Sequence, residues 1–92
     1  MKELIMFYGA ECLHCHAMLP RADKLHAESG IKIIKLEVWH VRKNADKMRK
    51  YEKIIVKAGG TFGVPAFIDK KKSKAFVGEA PYAELKAWAK KK

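Results

Sequence analysis

The stretch Leu4-Ile5-Met6-Phe7-Tyr8-Gly9-Ala10-Glu11-Cys12-Leu13-His14-Cys15 decides how the rest of the chain is read. Its first five residues form a continuous apolar run, the pattern of a strand covered on both faces. Gly9-Ala10-Glu11 breaks that run. From Cys12 or Leu13 to about Glu28 the apolar spacing turns helical, with Cys15, Met18 or Leu19, Ala22 and Leu25 on one face. Two cysteines separated by two residues thus fall just past a strand, on the opening turn of a helix. Pro20 lies inside this helix and is expected to kink it, because proline removes a backbone donor and crowds the preceding turn. Gly30 is placed to end it in the left-handed conformation.

The remaining elements follow outward. Residues 31–38 (IKIIKLEV) are rich in β-branched side chains and read as a second strand. Residues 39–43 form a loop, and Asn44 is the expected N-cap of a second amphipathic helix. Ala45, Met48, Tyr51, Ile55 and Ala58 mark that helix, which Gly59-Gly60 ends. Ala66-Phe67-Ile68-Asp69 and Lys74-Ala75-Phe76-Val77 are two short strands joined by a lysine turn, hence a hairpin. Tyr82, Leu85 and Trp88 define a last helix, entered at Pro81 in its first turn. The order is β-α-β-α-β-β-α. A right-handed crossover makes the first two strands parallel, and the short turn makes the last two antiparallel. We expect an α/β fold with one mixed four-stranded sheet flanked by three helices.

Composition bounds the possibilities. Ninety-two residues allow one domain, spanning 1–92, since two cores would leave neither half enough buried surface. Apolar residues are 49% of the chain, too many for a disordered polymer. No apolar run approaches the roughly 18–20 residues needed to span a bilayer, so no membrane partner is expected. The N-terminus lacks the long apolar region and small-residue cleavage site of a secretory signal, which points to a cytoplasmic protein. The formal charge is +10, with two short runs, Lys70-Lys71-Lys72 and Lys90-Lys91-Lys92. Without an aromatic-and-basic RNA-binding motif, and with no lysine-rich helix face, this reads as a solvated basic surface rather than a nucleic-acid interface.

Cysteines three apart make a poor structural staple, because the entropy removed from the unfolded chain grows with loop length. In a reducing compartment such a pair is redox-active or metal-binding. A helix N-terminus favours negative charge through its unpaired N–H groups and dipole. A free thiol is only about 3% ionised at pH 7, and a pKa near 6 would raise that to about 90%. Cys12, at the helix mouth, is expected to be the exposed nucleophile, and Cys15, one turn further in, the buried resolving thiol. Cys12 would attack a substrate disulfide, and Cys15 would then displace the substrate from Cys12. His14 either tunes the Cys12 thiolate as a partly protonated neighbour or is simply exposed on the first turn. His16 reads as an ordinary surface residue. Pro65, in Gly63-Val64-Pro65-Ala66, is read locally as a trans proline starting a strand. A cis Val64–Pro65 bond would instead present free backbone groups beside the cysteines.

Taken together, the chain resembles the thioredoxin superfamily over nearly its whole length. Four landmarks carry the resemblance: the strand leading into Cys12-Leu13-His14-Cys15, Pro20 five residues later, Val64-Pro65 before a strand, and Val77-Gly78 ahead of the last helix. The resemblance implies a cis Val64–Pro65 bond packed against the cysteines and a Val64 backbone that pairs with substrate, with Leu13 as a second substrate contact. It also implies no cofactor beyond a redox-active Cys12–Cys15 disulfide and no resident metal. The implied partners are protein disulfides or dithiols and a thioredoxin reductase-type electron donor, with the chain a monomer. The short layout is similar to glutaredoxins and small thioredoxin-like proteins. Departures are specific. Glu11 stands where thioredoxin has tryptophan, and Met6 falls where that family has a buried aspartate, which leaves the matching Lys35 without its partner. Val77-Gly78-Glu79-Ala80 is a poor match to a glutathione-binding segment. Histidine before the second cysteine is similar to disulfide isomerases and oxidants.

Two other chemistries fit the same residues. Cys12-Leu13-His14-Cys15-His16 satisfies the c-type haem attachment pattern C-x-x-C-H, with His16 as axial ligand. The cysteine pair could also hold zinc or copper, although a structural zinc site needs four ligands and His26 and His40 read as isolated.

Overall fold

A computed structural model describes residues 2–91; Met1 and Lys92, the ends of the expected domain and of the last lysine run, lie outside the described residues. Eight elements follow one another: β1 (Glu3–Tyr8), α1 (Leu13–Ser29), β2 (Lys32–Glu37), α2 (Arg42–Arg49), α3 (Glu52–Gly59), β3 (Ala66–Asp69), β4 (Lys74–Val77) and α4 (Tyr82–Lys90). The strands form one mixed sheet in the order β2-β1-β3-β4. β1 runs parallel to β2, with Leu4 opposite Ile33, and antiparallel to β3, with Met6 opposite Phe67. β3 and β4 form the expected antiparallel hairpin, with Phe67 opposite Phe76.

β1 is central because it is apolar on both faces. Side chains alternate along a strand, so Leu4 and Met6 point one way and Ile5 and Phe7 the other. Leu4 and Met6 pack with Met18, Ala22 and Leu25 of α1, Phe67 of β3, and Leu85 and Ala89 of α4. Ile5 and Phe7 pack with Met48 of α2, Ile55 of α3, and Ala66 and Ile68 of β3. Each fully buried Leu, Ile, Met or Phe contributes on the order of 1.5–3 kcal/mol, so both layers hold β1 in place. α1 and α4 therefore cover one face of the sheet, and α2 and α3 the other.

The expected three helices are corrected to four. The second helix divides at Lys50-Tyr51, where Tyr51 takes φ −106° and ψ 13° and its N–H bonds back to the Met48 carbonyl at 2.9 Å. This tighter i→i−3 turn ends α2, and the Tyr51 carbonyl then accepts from Ile55 N–H at 3.0 Å to start α3. The apolar spacing crosses the break unchanged, since Tyr51 still packs on Phe7 with ring centroids 6.1 Å apart. Asn44 is not the N-cap. Val41 occupies that position, and the Asn44 side-chain amide donates to the Glu37 carbonyl at 3.0 Å, tying α2 to the end of β2. Pro81 precedes α4 as its N-cap rather than sitting within the first turn. Gly30 ends α1 as expected, at φ 75° with its N–H on the His26 carbonyl. Among the described residues, no helix is long and apolar enough to cross a membrane.

Candidate active site

β1 ends at Tyr8, and the chain must turn at once to enter α1. Gly9 makes that turn under the indole of Trp39: a Cβ at Gly9 would lie 2.3 Å from the nearest ring carbon. The Cys12 N–H bonds to the Gly9 carbonyl at 3.1 Å and closes the turn. Cys12 then adopts an extended conformation (φ −80°, ψ 115°) as the N-cap of α1, with its carbonyl accepting from His16 N–H at 3.0 Å. Its Sγ accepts a hydrogen bond from the Cys15 N–H at 3.2 Å. A sulfur thus takes the place of the usual Ser, Thr or Asp oxygen at a helix start, where orphan N–H groups favour an anion.

Both cysteines are free thiols. Their order of burial matches the expected division, but its extent does not: Cys12 is only 7% exposed and Cys15 fully buried. The expectation of an openly exposed Cys12 is corrected, because capping turns its sulfur back over the first helical turn. Burial pushes the Cys15 thiol up to about 12, helped by its hydrogen bond with Cys12 and by the charge of Cys12, and opposed by the Gly9 N–H. That N–H donates to Cys15 Sγ at 3.5 Å. The side chain of Met6, where the resemblance would have an aspartate, is fully buried in the apolar layer under α1.

The Val64–Pro65 peptide is cis, against the local expectation of a trans proline and in agreement with the resemblance. The Pro65 carbonyl accepts from Gly78 N–H at 2.9 Å, where Gly78 takes φ 94°. Val64 and Pro65 line a groove of about 580 Å³ together with His14, Arg21 and the 78–81 segment. His14 Nδ1 lies 2.9 Å from Glu79 Oε1, so the bond this ring makes is across the groove. Arg21 donates to the Ala80 carbonyl at 2.9 Å and lies 3.8 Å from Glu79 Oε2. The structure therefore gathers His14, Val64 and Pro65 around one groove at the side of α1. It does not place Leu13 there: that side chain is 83% exposed and points away into solvent.

A second cluster lies beside the pair, on residues that no spacing in the sequence links. His40 Nε2 is 2.7 Å from Glu11 Oε1. The carboxylate of Glu37 accepts from Ala10 N–H at 2.8 Å and His40 N–H at 2.7 Å. The expectation that His40 is isolated is corrected, since the β2–α2 loop folds it back onto Glu11. The Glu11 carboxylate holds the His40 imidazole above its ordinary value. Desolvation is the largest single influence on Glu37, but the donors from His40, Ala10 and Trp39 together outweigh it and hold its carboxyl below the usual range. Glu11, Glu37 and His40 could direct one atom each to a common point, and no such group among the described residues includes a cysteine.

The other histidines serve the backbone. His16 Nε2 meets the Ala10 carbonyl, and His26 Nδ1 meets the Ile31 carbonyl at 2.9 Å. Lys35 forms an ion pair with Asp23 on α1. The chain matches no family model and no curated protein.

Proposed function

We propose that this chain is a thioredoxin-like thiol–disulfide oxidoreductase in which Cys12 captures substrate and Cys15 resolves it. The observation that carries the reading is the Cys12–Cys15 arrangement: a sulfur capping a helix, hydrogen-bonded by the amide of a sealed second cysteine one turn away. The cis Val64–Pro65 bond beside a groove edged by His14 adds to it.

The chemistry balances without a cofactor. The Cys12 thiolate attacks one sulfur of a substrate disulfide, forming a mixed disulfide and expelling the other substrate sulfur as a thiolate, which takes a proton from water. Cys15 then gives its proton to solvent and attacks Cys12 Sγ, forming the Cys12–Cys15 bond, breaking the mixed bond and releasing the second substrate thiolate. The substrate disulfide is reduced by two electrons, and Cys12 and Cys15 are oxidised to a disulfide. Capture of substrate helps the second step. Once Cys12 is in a mixed disulfide, its negative charge no longer opposes ionisation of Cys15, while the Gly9 N–H still favours the Cys15 thiolate. Burial still favours the protonated Cys15 thiol, and Met6 offers no carboxylate to take its proton.

Insulin-disulfide reduction with dithiothreitol as donor tests the reading. Cys12→Ser abolishes turnover, and Cys15→Ser accumulates a mixed disulfide that a gel resolves without reductant. Full activity in both variants contradicts the proposal.

A further inference from the structure

The start of β1 lies about 17 Å along the strand from its cysteine-bearing end. A cavity of about 800 Å³ opens there. Six of its eleven lining residues are lysines (Lys2, Lys70, Lys71, Lys72, Lys90 and Lys91), against two carboxylates, Glu3 and Asp69. They come from three segments far apart in sequence: the entry to β1, the β3–β4 turn and the end of α4. The antiparallel pairing of β1 with β3 brings the turn beside the entry, and Ala89 of α4 lines the same cavity.

Neither carboxylate neutralises the rim. Asp69 is 3% exposed, with Oδ1 accepting from Lys72 N–H at 3.3 Å and Oδ2 lying 3.2 Å from Lys2 Nζ. Lys2 Nζ also donates to the Ala89 carbonyl, so this one ammonium ties β1, β3 and α4 together at the cavity floor. Glu3 lines the cavity but lies 4.0 Å from Lys32, a lysine that does not line it. No carboxylate of the described residues forms an ion pair with Lys70, Lys71, Lys90 or Lys91. Four ammonium groups around one concavity, unpaired by any carboxylate of the described residues, raise the local potential and favour a multiply charged anion.

We infer that this cavity binds a small polyphosphorylated ligand, with its phosphates held among Lys70, Lys71, Lys90 and Lys91. The volume lies within the roughly 300–1,000 Å³ of small-molecule sites, and Ile31 and Ala89 give it an apolar wall. The lining contains no aromatic side chain on which a base could stack, which favours a compact ligand over a single-stranded nucleic acid. The site is independent of the cysteines.

Calorimetric titration of the full chain with inorganic tripolyphosphate at fixed moderate salt tests this. The prediction is saturable one-to-one binding, weakened at least about tenfold by reversing Lys70, Lys71, Lys90 and Lys91 to glutamate, a loss of about 1.4 kcal/mol. A matched variant reversing the exposed Lys43, Lys47, Lys50 and Lys53 carries the same net charge and keeps most of the binding. Circular dichroism shows whether each variant is folded. A single reversal, Lys71→Glu, weakens binding several-fold if the quadruple variant does not fold. Absence of saturation, equal losses in the two quadruple variants, or tighter binding of a twelve-nucleotide single strand than of tripolyphosphate overturns the proposal.

Discussion

The amide of Cys15 donates to the sulfur of Cys12 at 3.2 Å, so one cysteine caps the helix whose first turn holds the other. Folding and reactivity therefore share an atom: the sulfur that satisfies a helix-end donor is the sulfur proposed to attack substrate.

That sharing separates two substitutions which both remove the thiol. Cys12→Ser keeps a capping oxygen and leaves stability nearly unchanged, whereas Cys12→Ala orphans the Cys15 amide and costs about 1 kcal/mol. Urea unfolding of the two variants checks this. Equal stabilities would mean that the hydrogen bond contributes nothing to folding.

Gly9 places Cys15 through its amide, and it does so beneath Trp39. Gly9→Ala puts a methyl group 2.3–2.7 Å from the indole carbons and destabilises the fold by about 1–3 kcal/mol. Trp39 is half exposed, so Trp39→Ala makes room at modest cost. In a double-mutant cycle the Gly9→Ala penalty shrinks when Trp39 is already alanine. Additive penalties would place the strain elsewhere.

The raised thiol of Cys15 links stability to alkaline pH. Its folded value is about 12 against an ordinary 9.0, so the folded state holds the proton more tightly. The corresponding stability is fully present below pH 9 and is lost as pH rises from 9 toward 12. The stability of Cys15→Ala falls less over that interval than that of the unsubstituted chain, in unfolding followed at pH 8 and pH 10.5. An identical decline in both would contradict the assignment.

The His40–Glu11 pair makes a prediction of the same sign near neutrality. Because the carboxylate raises the imidazole, its stabilisation is complete below the ordinary 6.5 and disappears as pH rises through the folded value. A histidine-resolved NMR titration shows a midpoint above 6.5 for His40, and Glu11→Gln lowers it. A midpoint unmoved by that substitution would show that the contact does not form in solution.

Much of this architecture was readable in the residues. The uniform apolar run of Leu4 to Tyr8 has the pattern of a strand covered on both sides, and the lysine turn stands where β3 ends and β4 begins. The split between α2 and α3 was not readable, because Tyr51 keeps its place in the apolar spacing while its backbone leaves the helix. Asn44 had cap chemistry and uses it on a strand carbonyl instead. At the site, the cysteine spacing announced the pair, but not that capping would draw Cys12 almost wholly under cover. The Glu11–Glu37–His40 cluster depends on a loop returning to the start of α1, and positions 11, 37 and 40 share no periodicity. The lysines of the β3–β4 turn and of α4 meet only because antiparallel pairing carries the turn back to the start of β1.

The account is tested most directly by equilibrating the chain in glutathione buffers of graded redox poise, quenching in acid and measuring intact mass. It predicts a single reversible conversion to a species lighter by two hydrogens, with digestion mapping one bond between Cys12 and Cys15. Stable glutathione adducts on either cysteine with no internal bridge at any poise would contradict it.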